Sequence, residues 1–295
     1  MENKQQTIKS TAAALTAVFL WASAFPAVRY TFNYYSPESV MLQRFIVASL
    51  TLAVISLIKK TRLPEKKDLP LFMFAGFIGI FLYMLLFNFG TSTVNSGVSS
   101  FLISSAPVHM TLLSILFLKE KVRLVSWVGI FISLGGLALV ASSQMEGFTM
   151  NIGVVLLLAA SIFTSGFSIM QRKLMQKYTP LEATTYPVFF GTLCMFVFLP
   201  TLITDFINAP ITARLMPVYL GIFPAAIAYL SWSYALSKAK STANVAMFVY
   251  LIPFVATLLA FVWLGETIAP ITFFGGIVII FGMLISSKLG MHRKN

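Results

Sequence analysis

The sequence predicts an all-α membrane protein whose ten transmembrane helices form two inverted five-helix repeats. The prediction rests on an apolar composition, on the distribution of basic residues and on the repetition of one half of the chain in the other. Of the 295 residues, 58% are hydrophobic and only 10% are charged, which is more apolar than a water-soluble surface tolerates. The apolar runs are about 20 residues long, which is the length of a helix that crosses a bilayer and twice that of a barrel strand.

Ten apolar runs of this kind follow one another along the chain. The first follows a polar start, but it is longer than the hydrophobic region of a signal peptide, so we interpret it as a retained helix. The predicted spans are residues 10–31, 37–58, 69–90, 96–118, 123–142, 151–171, 181–204, 213–235, 242–264 and 268–287.

The basic residues are distributed unevenly between the two sides that these spans define. If the N-terminus is cytoplasmic, only Arg29 and Arg214 fall in outside segments and Arg44 falls within the second span, while every other Lys and Arg falls inside. This bias orients membrane proteins. We therefore predict a multi-pass protein of the cell (inner) membrane with both termini cytoplasmic. The net charge of +12 is interpreted as an orientation signal, with attraction to anionic lipids as a secondary effect, and no nucleic-acid partner is expected.

The two halves of the chain repeat one another. PVHMTLLSILFLKE at residues 107–120 recurs as PFVATLLAFVWLGE at residues 253–266, and at the same offset Tyr83 aligns with Tyr229. We place the repeats at residues 1–147 and 148–295. Because each repeat has an odd number of spans, the second enters the membrane in the opposite orientation. This arrangement is typical of transporters that alternate access around a midplane site.

These motifs resemble the EamA-type transporters of the drug/metabolite transporter superfamily over nearly the whole chain. The resemblance rests on WASAFPAVRY at residues 21–30, SPESVMLQRF at residues 36–45 and the two Pro-to-Glu helices with their following glycines. It implies a secondary transporter that exports small metabolites such as amino acids by alternating access. It also implies a central cavity lined mainly by helices 1, 3, 4, 6, 8 and 9, with helices 5 and 10 peripheral. A lipid or lipid-linked substrate flippase is the alternative.

The sequence lacks the motifs of several other classes of protein. The sequence has no GxxxxGK[ST] loop and no HExxH pair, and two histidines with one cysteine are too few for a usual zinc site. We therefore expect no enzyme, no ATPase subunit and no cofactor or metal. The expected partners are a small-molecule substrate and the lipid bilayer.

The resemblance and the repeat together predict a substrate site between helices 4 and 9. The expected substrate-binding side chains are polar or amphipathic residues on the lining helices: Trp21, Tyr83, Asn88, Ser100, Ser104, His109, Tyr229, Trp232 and Tyr250. Pro107 and Pro253 each remove a backbone donor inside a span. We predict that they form paired kinks, which act as hinges or substrate-facing breaks, or else as static bends that packing requires.

Polar residues of the fourth span occupy two opposite sectors, so only one can line the cavity. The first sector contains Ser96, Ser100, Ser104, Thr111 and Ser114, and the second contains Asn95, Ser99, Ser105 and His109. The repeat extends the first sector to Thr242, Tyr250 and Thr257 of the ninth span. Small hydroxyl residues also serve helix packing, so the lining face stays open.

His109 is the only group within a span that titrates near neutrality. None of the nine acids lies at a span centre, so His109 is the candidate proton carrier inside the membrane. It could relay protons, or it could remain neutral with Ser105, one turn earlier, as its hydrogen-bond partner. A proton-coupled cycle through His109 therefore competes with a facilitator that moves substrate down its own gradient. We favour the facilitator, because a single histidine without an acidic partner is weak evidence for a proton relay.

Other charged residues and glycines have structural interpretations. Arg44 either snorkels to the outer interface, which we favour, or anchors an anion or carboxylate. Glu120 and Glu266 are expected to cap the helix that follows each of them. Gly129 with Gly136, and Gly275 with Gly282, lie two turns apart on one face and predict close helix packing.

Overall fold

The structure, a computed structural model, describes residues 2–118, 124–146, 149–238 and 247–290. This part of the chain is nearly all helical. Seven helices are long and apolar enough to cross a membrane: Ile8–Thr31, Pro37–Lys59, Lys66–Thr93, Leu124–Ser142, Ile152–Leu174, Pro180–Asn208 and Ile211–Ala235. Two shorter apolar helices cover Phe248–Leu264 and Pro270–Ser286.

Several of these long helices change their hydrogen-bonding pattern along their length, so they divide into shorter elements. The α-helices are α1 (Glu2–Thr31), α2 (Pro37–Lys59), α3 (Leu69–Gly76), α4 (Tyr83–Thr93), α5 (Ser96–Ile103), α6 (Ala106–Leu118), α7 (Leu124–Ser142), α8 (Ile152–Leu174), α9 (Pro180–Met195), α10 (Leu199–Asn208), α11 (Leu215–Ile222), α12 (Ala228–Lys238), α13 (Ile252–Leu264) and α14 (Pro270–Gly290). Short 3₁₀ segments cover Lys66–Asp68, Phe196–Phe198, Ile211–Arg214 and Met247–Leu251. The sequence did not predict the two-residue strands β1 (Met145–Glu146) and β2 (Thr149–Met150), which pair antiparallel between α7 and α8.

Helices α2 and α9 begin with the same local signal, a hydroxyl residue followed by proline. Thr179 and Glu182 form a capping box at the start of α9, which satisfies two otherwise unpaired backbone donors. At the start of α2 the carboxylate comes from another helix, because Asp205 of α10 accepts from the backbone N–H and the hydroxyl of Ser36 at 2.8 and 2.7 Å. Glu182 also accepts from the backbone N–H of Arg62, beyond the end of α2. The start of α2 is thus hydrogen-bonded to α10, which follows α9. The start of α9 is hydrogen-bonded to Arg62, which follows α2.

Helices α7 and α14 pack through the predicted glycines. A Cβ on Gly136 would lie 2.6 Å from the carbonyl oxygen of Gly275, and one on Gly282 would lie 2.5 Å from that of Gly129. Between these two crossings the hydroxyl of Ser133 donates to the carbonyl of Ile279 at 3.0 Å. The prediction of close packing is confirmed, and it joins the fifth span of one half to the tenth span of the other.

The fourth predicted span is broken, the ninth changes its helix type, and a proline follows each of these points. A turn at Ser104 and Ser105 separates α5 from α6, and the 3₁₀ segment Met247–Leu251 precedes α13. Pro107 and Pro253 are therefore the second residues of new helices, where a backbone N–H would lack an intrahelical partner in any case. The fourth span is therefore broken near its proline and not kinked within one continuous helix, and a break was one of the predicted alternatives. That this break faces the substrate stays a prediction. The role of both prolines as hinges stays a prediction as well.

Two π-helical segments occur at equivalent places in the two halves. Phe77–Leu82 joins α3 to α4, and Phe223–Ile227 joins α11 to α12. Such segments inside α-helices are rare and recur at functional sites, because the wider turn redirects the residues that follow. Here Tyr83 and Tyr229 come directly after them.

Candidate functional site

Predicted site residues of the first and eighth spans meet in an aromatic cluster. The ring centroid of Trp21 lies 5.5 Å from that of Tyr229 and 5.4 Å from that of Trp232. The indole N–H of Trp21 donates to the carbonyl of Pro224, inside the second π segment, at 3.2 Å. Trp21, Tyr229 and Trp232 are called the aromatic cluster below.

Arg44 of α2 lies inside the protein, next to this cluster. Only 2% of its surface is exposed, and its Nε and Nη1 atoms have no hydrogen-bond partner among the described residues. The guanidinium lies 5.7 Å from the ring of Phe45, and the phenols of Tyr229 and Tyr83 are among the groups around it. A snorkelling side chain would reach the interface, so our preferred interpretation of Arg44 is wrong. Its head is instead buried near Tyr83 and the aromatic cluster.

Close helix packing buries the backbone of Arg44. Gly221 of α11 lies against α2, and a Cβ at this position would come within 2.6 Å of the carbonyl oxygen of Arg44. The eighth span therefore covers the backbone from which the arginine side chain departs.

Tyr83 and Asn88 lie on α4, which continues the third span. Tyr83 is nearly buried and its ring contacts Phe87, which in turn packs on Phe25 of α1. The amide nitrogen of Asn88 donates to the carbonyl of Met84 at 2.8 Å, but its buried oxygen has no partner in the part of the chain that the structure describes. Within that part, Asn88 thus presents a free acceptor inside the helix bundle.

His109 faces the sixth span. Its Nδ1 lies 2.8 Å from the hydroxyl of Ser161 on α8. The hydroxyl of Ser105 donates to the carbonyl of Leu102, so the expected partnership of His109 with Ser105 is wrong. The sector of the fourth span that holds His109 therefore lies against α8, where Ser165 also donates to the carbonyl of Ala106 at the helix break.

The other sector of the fourth span is buried as well. Ser100 donates to the carbonyl of Gly97 at 2.7 Å, and the hydroxyls of Ser96, Ser104 and Thr257 are buried without a partner. Tyr250 is buried in the 3₁₀ segment before α13. Thr242 and the side chain of Ser114 lie outside the described residues. Which sector lines a substrate path stays a prediction.

Two cavities lie elsewhere, and none of the nine predicted substrate-binding residues lines them. The larger, of about 710 Å³, opens where α1 and α13 end and α2 begins, and its wall includes Arg29, Tyr34 and Glu266. The smaller, of about 350 Å³, lies beside α13 and α14 and is lined mostly by apolar side chains such as Phe254 and Phe261. Because Phe261 is largely exposed, the smaller cavity is a groove on the outer surface of the bundle.

Arg29 and Glu266 form an ionic cluster in the wall of the larger cavity. Arg29 Nε lies 3.6 Å from a carboxylate oxygen of Glu266, and its Nη1 donates to the carbonyl of Ser92 at 2.6 Å. The other oxygen of Glu266 accepts from the backbone N–H of Ser96 at 2.7 Å. Glu266 therefore caps α5 of the other half and not the helix that follows it, which corrects our prediction. Glu120 lies outside the described residues.

The sequence held a signal for this cluster that we did not use. Arg29 is one of only two basic residues in the predicted outside segments, and Glu266 lies in a segment on the same side. Their pairing brings together the ends of the first, third and ninth spans and the start of the fourth, which are predicted to lie outside.

A second ionic cluster lies on the predicted cytoplasmic side. Lys177 pairs with Asp68 and with Glu65, and Tyr178 donates to Asp68 at 2.6 Å. The hydrogen bonds from Lys177 and Lys67 hold the pKa of Glu65 below its usual value, and the acids hold the pKa of Lys177 above its own. Because Glu65 and Lys67 are well exposed, the pairs contribute little to stability. They connect the loops that follow the second and sixth spans.

Comparison with known proteins places the chain in a family. The model of the EamA-like transporter family matches twice, over residues 9–142 and 151–288. A protein named "Uncharacterized transporter YdfC" from Bacillus subtilis (strain 168) is 33% identical over 99% of this chain and 95% of its own length. A "Probable terminal-alkyne amino-acid exporter" from Streptantibioticus cattleyicolor is 35% identical over 97% of this chain and 96% of its own length.

A solved crystal structure gives an independent view of the fold. It has a TM-score of 0.66 and 17% sequence identity, and the match covers 95% of this chain and 96% of the other. The fold and the composition define a multi-pass α-helical membrane protein. The chain belongs to the EamA-like transporter family, as the resemblance predicted, and it is therefore a transporter.

Proposed function

We propose that the protein is a secondary transporter that exports small metabolites such as amino acids by alternating access. The observation that carries the proposal is the double match of the family model, one match in each half, together with the contact of both halves around Arg44. The amino-acid exporter named above supports the substrate class. None of these comparisons supports the flippase alternative.

The proposed architecture is ten transmembrane helices in two inverted repeats at residues 1–147 and 148–295. Similar features of the two halves support it: π segments before Tyr83 and Tyr229, a helix break before Pro107 and a change from 3₁₀ to α-helix before Pro253. In such a design each half can adopt the conformation of the other, which opens the central site to one side and then to the other.

The topology can be tested by cysteine labelling. In a variant whose only native cysteine, Cys194, is replaced by serine, we introduce Gly147→Cys and, separately, Lys66→Cys. An impermeant maleimide added to intact cells should label position 147 and not position 66, because the basic residue bias places position 66 in the cytoplasm. Permeabilised cells should allow both to react. Labelling of position 66 alone in intact cells would invert the proposed orientation and place both termini outside.

Transport and its coupling can be tested in proteoliposomes with a mixture of the twenty labelled amino acids. We expect downhill exchange of some of them, with no accumulation when a pH gradient is imposed, because the described spans hold no carboxylate at their centre and His109 is bound to the neutral hydroxyl of Ser161. Empty liposomes are the control. Absence of exchange for every amino acid would contradict the proposed substrate class.

The role of His109 has its own readout in the same assay. If the wild-type protein accumulates substrate in response to the pH gradient and His109→Gln abolishes this accumulation while downhill exchange continues, the facilitator is wrong and His109 couples protons. Glutamine keeps the hydrogen bond to Ser161 but does not titrate, so it separates these two functions of the side chain.

A further inference from the structure

The second span carries a buried cation for which the rest of the described chain offers no counterion. Arg44 is 2% exposed, and two of its three guanidinium nitrogens lack an acceptor. Every carboxylate with a described salt bridge or cap lies at the outer or cytoplasmic end of the helices and serves another residue. We propose that Arg44 binds the carboxylate of the transported solute, between Tyr83 and Tyr229. This inference rests on the proposed function and names the group that the site recognises.

The energetic argument concerns the cost of an unpaired buried charge. Removing a cation from water without an acceptor is costly, and each unsatisfied donor adds to that cost. Phe45 lies 5.7 Å from the guanidinium carbon, but a cation–π contact accepts no hydrogen bond. A ligand oxygen that fills the place of the missing acceptor would therefore gain more here than at an exposed arginine.

The surroundings of Arg44 favour a carboxylate over other anions. A single guanidinium neutralises one negative charge, and its planar fork of donors matches the two oxygens of a carboxylate. No second basic side chain of the described residues contacts it, as recognition of a phosphate dianion would require. Tyr83 and Tyr229 add phenol hydroxyls, which can donate to the same oxygens.

The aromatic cluster determines what can be attached to that carboxylate. Tyr229 stacks edge-on against Trp21, which also contacts Trp232, so the surface beside the anchor is aromatic. Aromatic faces accept apolar side chains and also ammonium groups. The site therefore fits an amino acid with an apolar or aromatic side chain.

The position of Arg44 also agrees with alternating access. Tyr83 and Tyr229 are equivalent in the repeat and belong to different halves, so a ligand between them contacts both. The equivalent of Arg44 in the second half is Pro187, which has no charge. In this proposal Arg44 binds the carboxylate in both the inward-open and the outward-open conformation.

The test compares acids with their amides, which keep the side chain and the ammonium group but lack the carboxylate. Proteoliposomes are loaded with the twenty amino acids or with their α-amides, and efflux is quantified by mass spectrometry. The wild-type protein should release a subset of the acids at least about tenfold faster than the matching amides, because one charge-assisted hydrogen bond corresponds to about tenfold or more in binding. Arg44→Gln should lose this preference, and Arg44→Lys should keep part of it.

Lys66→Gln is the matched control, because it removes one positive charge from an exposed loop and should leave efflux unchanged. If Arg44→Gln does not insert as a monodisperse protein, the double variant Tyr83→Phe, Tyr229→Phe is used in its place. It loses only two hydroxyls and should therefore fold, and it is expected to reduce the preference for acids. Efflux of the same acids at the wild-type rate from Arg44→Gln would overturn the assignment and leave the proposed function intact. Equal efflux of acids and amides from the wild-type protein would also overturn the assignment of Arg44 and leave the proposed function intact. Failure of the wild-type protein to release any acid would overturn both.

Discussion

Replacement of Gly136 by leucine is expected to lower the unfolding temperature sharply and to reduce the amount of folded protein in the membrane. A Cβ at this position would lie 2.6 Å from both the carbonyl oxygen of Gly275 and the backbone nitrogen of Ile279. These are backbone atoms, so relief requires α7 and α14 to move apart. Overpacking of this kind costs about 1–3 kcal/mol or more, and it also separates Ser133 from the carbonyl of Ile279.

Gly135 provides the matched control for this experiment. It neighbours Gly136 in the same helix, but a Cβ there would meet no atom within 4 Å. Gly135→Leu should leave the unfolding temperature unchanged or raise it slightly, because leucine is the better helix former. The measurement is the unfolding midpoint of detergent-solubilised protein, followed by fluorescence-detected size-exclusion chromatography. Equal midpoints for the two variants would show that the crossing of α7 and α14 is looser than described.

The glycines illustrate what the sequence could predict. Their spacing of two turns is a property of a single helix, and close approach is the usual reason for small residues on one face of a membrane helix. The repetition of the pattern in both halves then indicated that the two helices are equivalent. Local spacing and the repeat thus sufficed to predict close packing on these faces, but not that the two helices pack against each other.

Contacts between distant segments were harder to predict. Arg44 lies within snorkelling reach of the outer interface when its helix is considered alone. In the folded chain α11 packs against its backbone, since a Cβ on Gly221 would lie 2.6 Å from the carbonyl oxygen of Arg44. For His109 the sequence offered Ser105 one turn away, whereas the partner, Ser161, belongs to another span. In each case the nearest residue in the sequence was not the neighbour in space.

The helix irregularities had only partial signals. Pro107 and Pro253 indicated that the fourth and ninth spans are irregular. A proline, however, is compatible both with a kink and with a new first turn. The π segments before Tyr83 and Tyr229 had no signal that we could recognise, because their residues are as apolar as the rest of the span.

Truncation of Trp21 to alanine is expected to abolish most transport. The change removes the ring contacts with Tyr229 and Trp232 and the hydrogen bond to the carbonyl of Pro224. Removing a large packed aromatic side chain costs about 3–5 kcal/mol, and here the loss falls on the surface beside Arg44. We expect the amino-acid efflux rate to fall by a factor of about ten or more, which corresponds to a loss of about 1.4 kcal/mol or more of substrate binding at this surface.

Trp127→Ala separates this effect from a general loss of packing. Trp127 is half-buried like Trp21, but the ring contact described for it is with Phe131 on its own helix, at 6.2 Å, and that helix is expected to be peripheral. Its truncation should therefore change the efflux rate by less than about twofold. Trp21→Phe should fall between the two, because phenylalanine retains an aromatic ring for Tyr229 but cannot donate to Pro224. If Trp21→Ala and Trp127→Ala, reconstituted in equal amounts, transport at the same rate, the aromatic cluster does not contact the substrate and the path must lie along another face of the bundle.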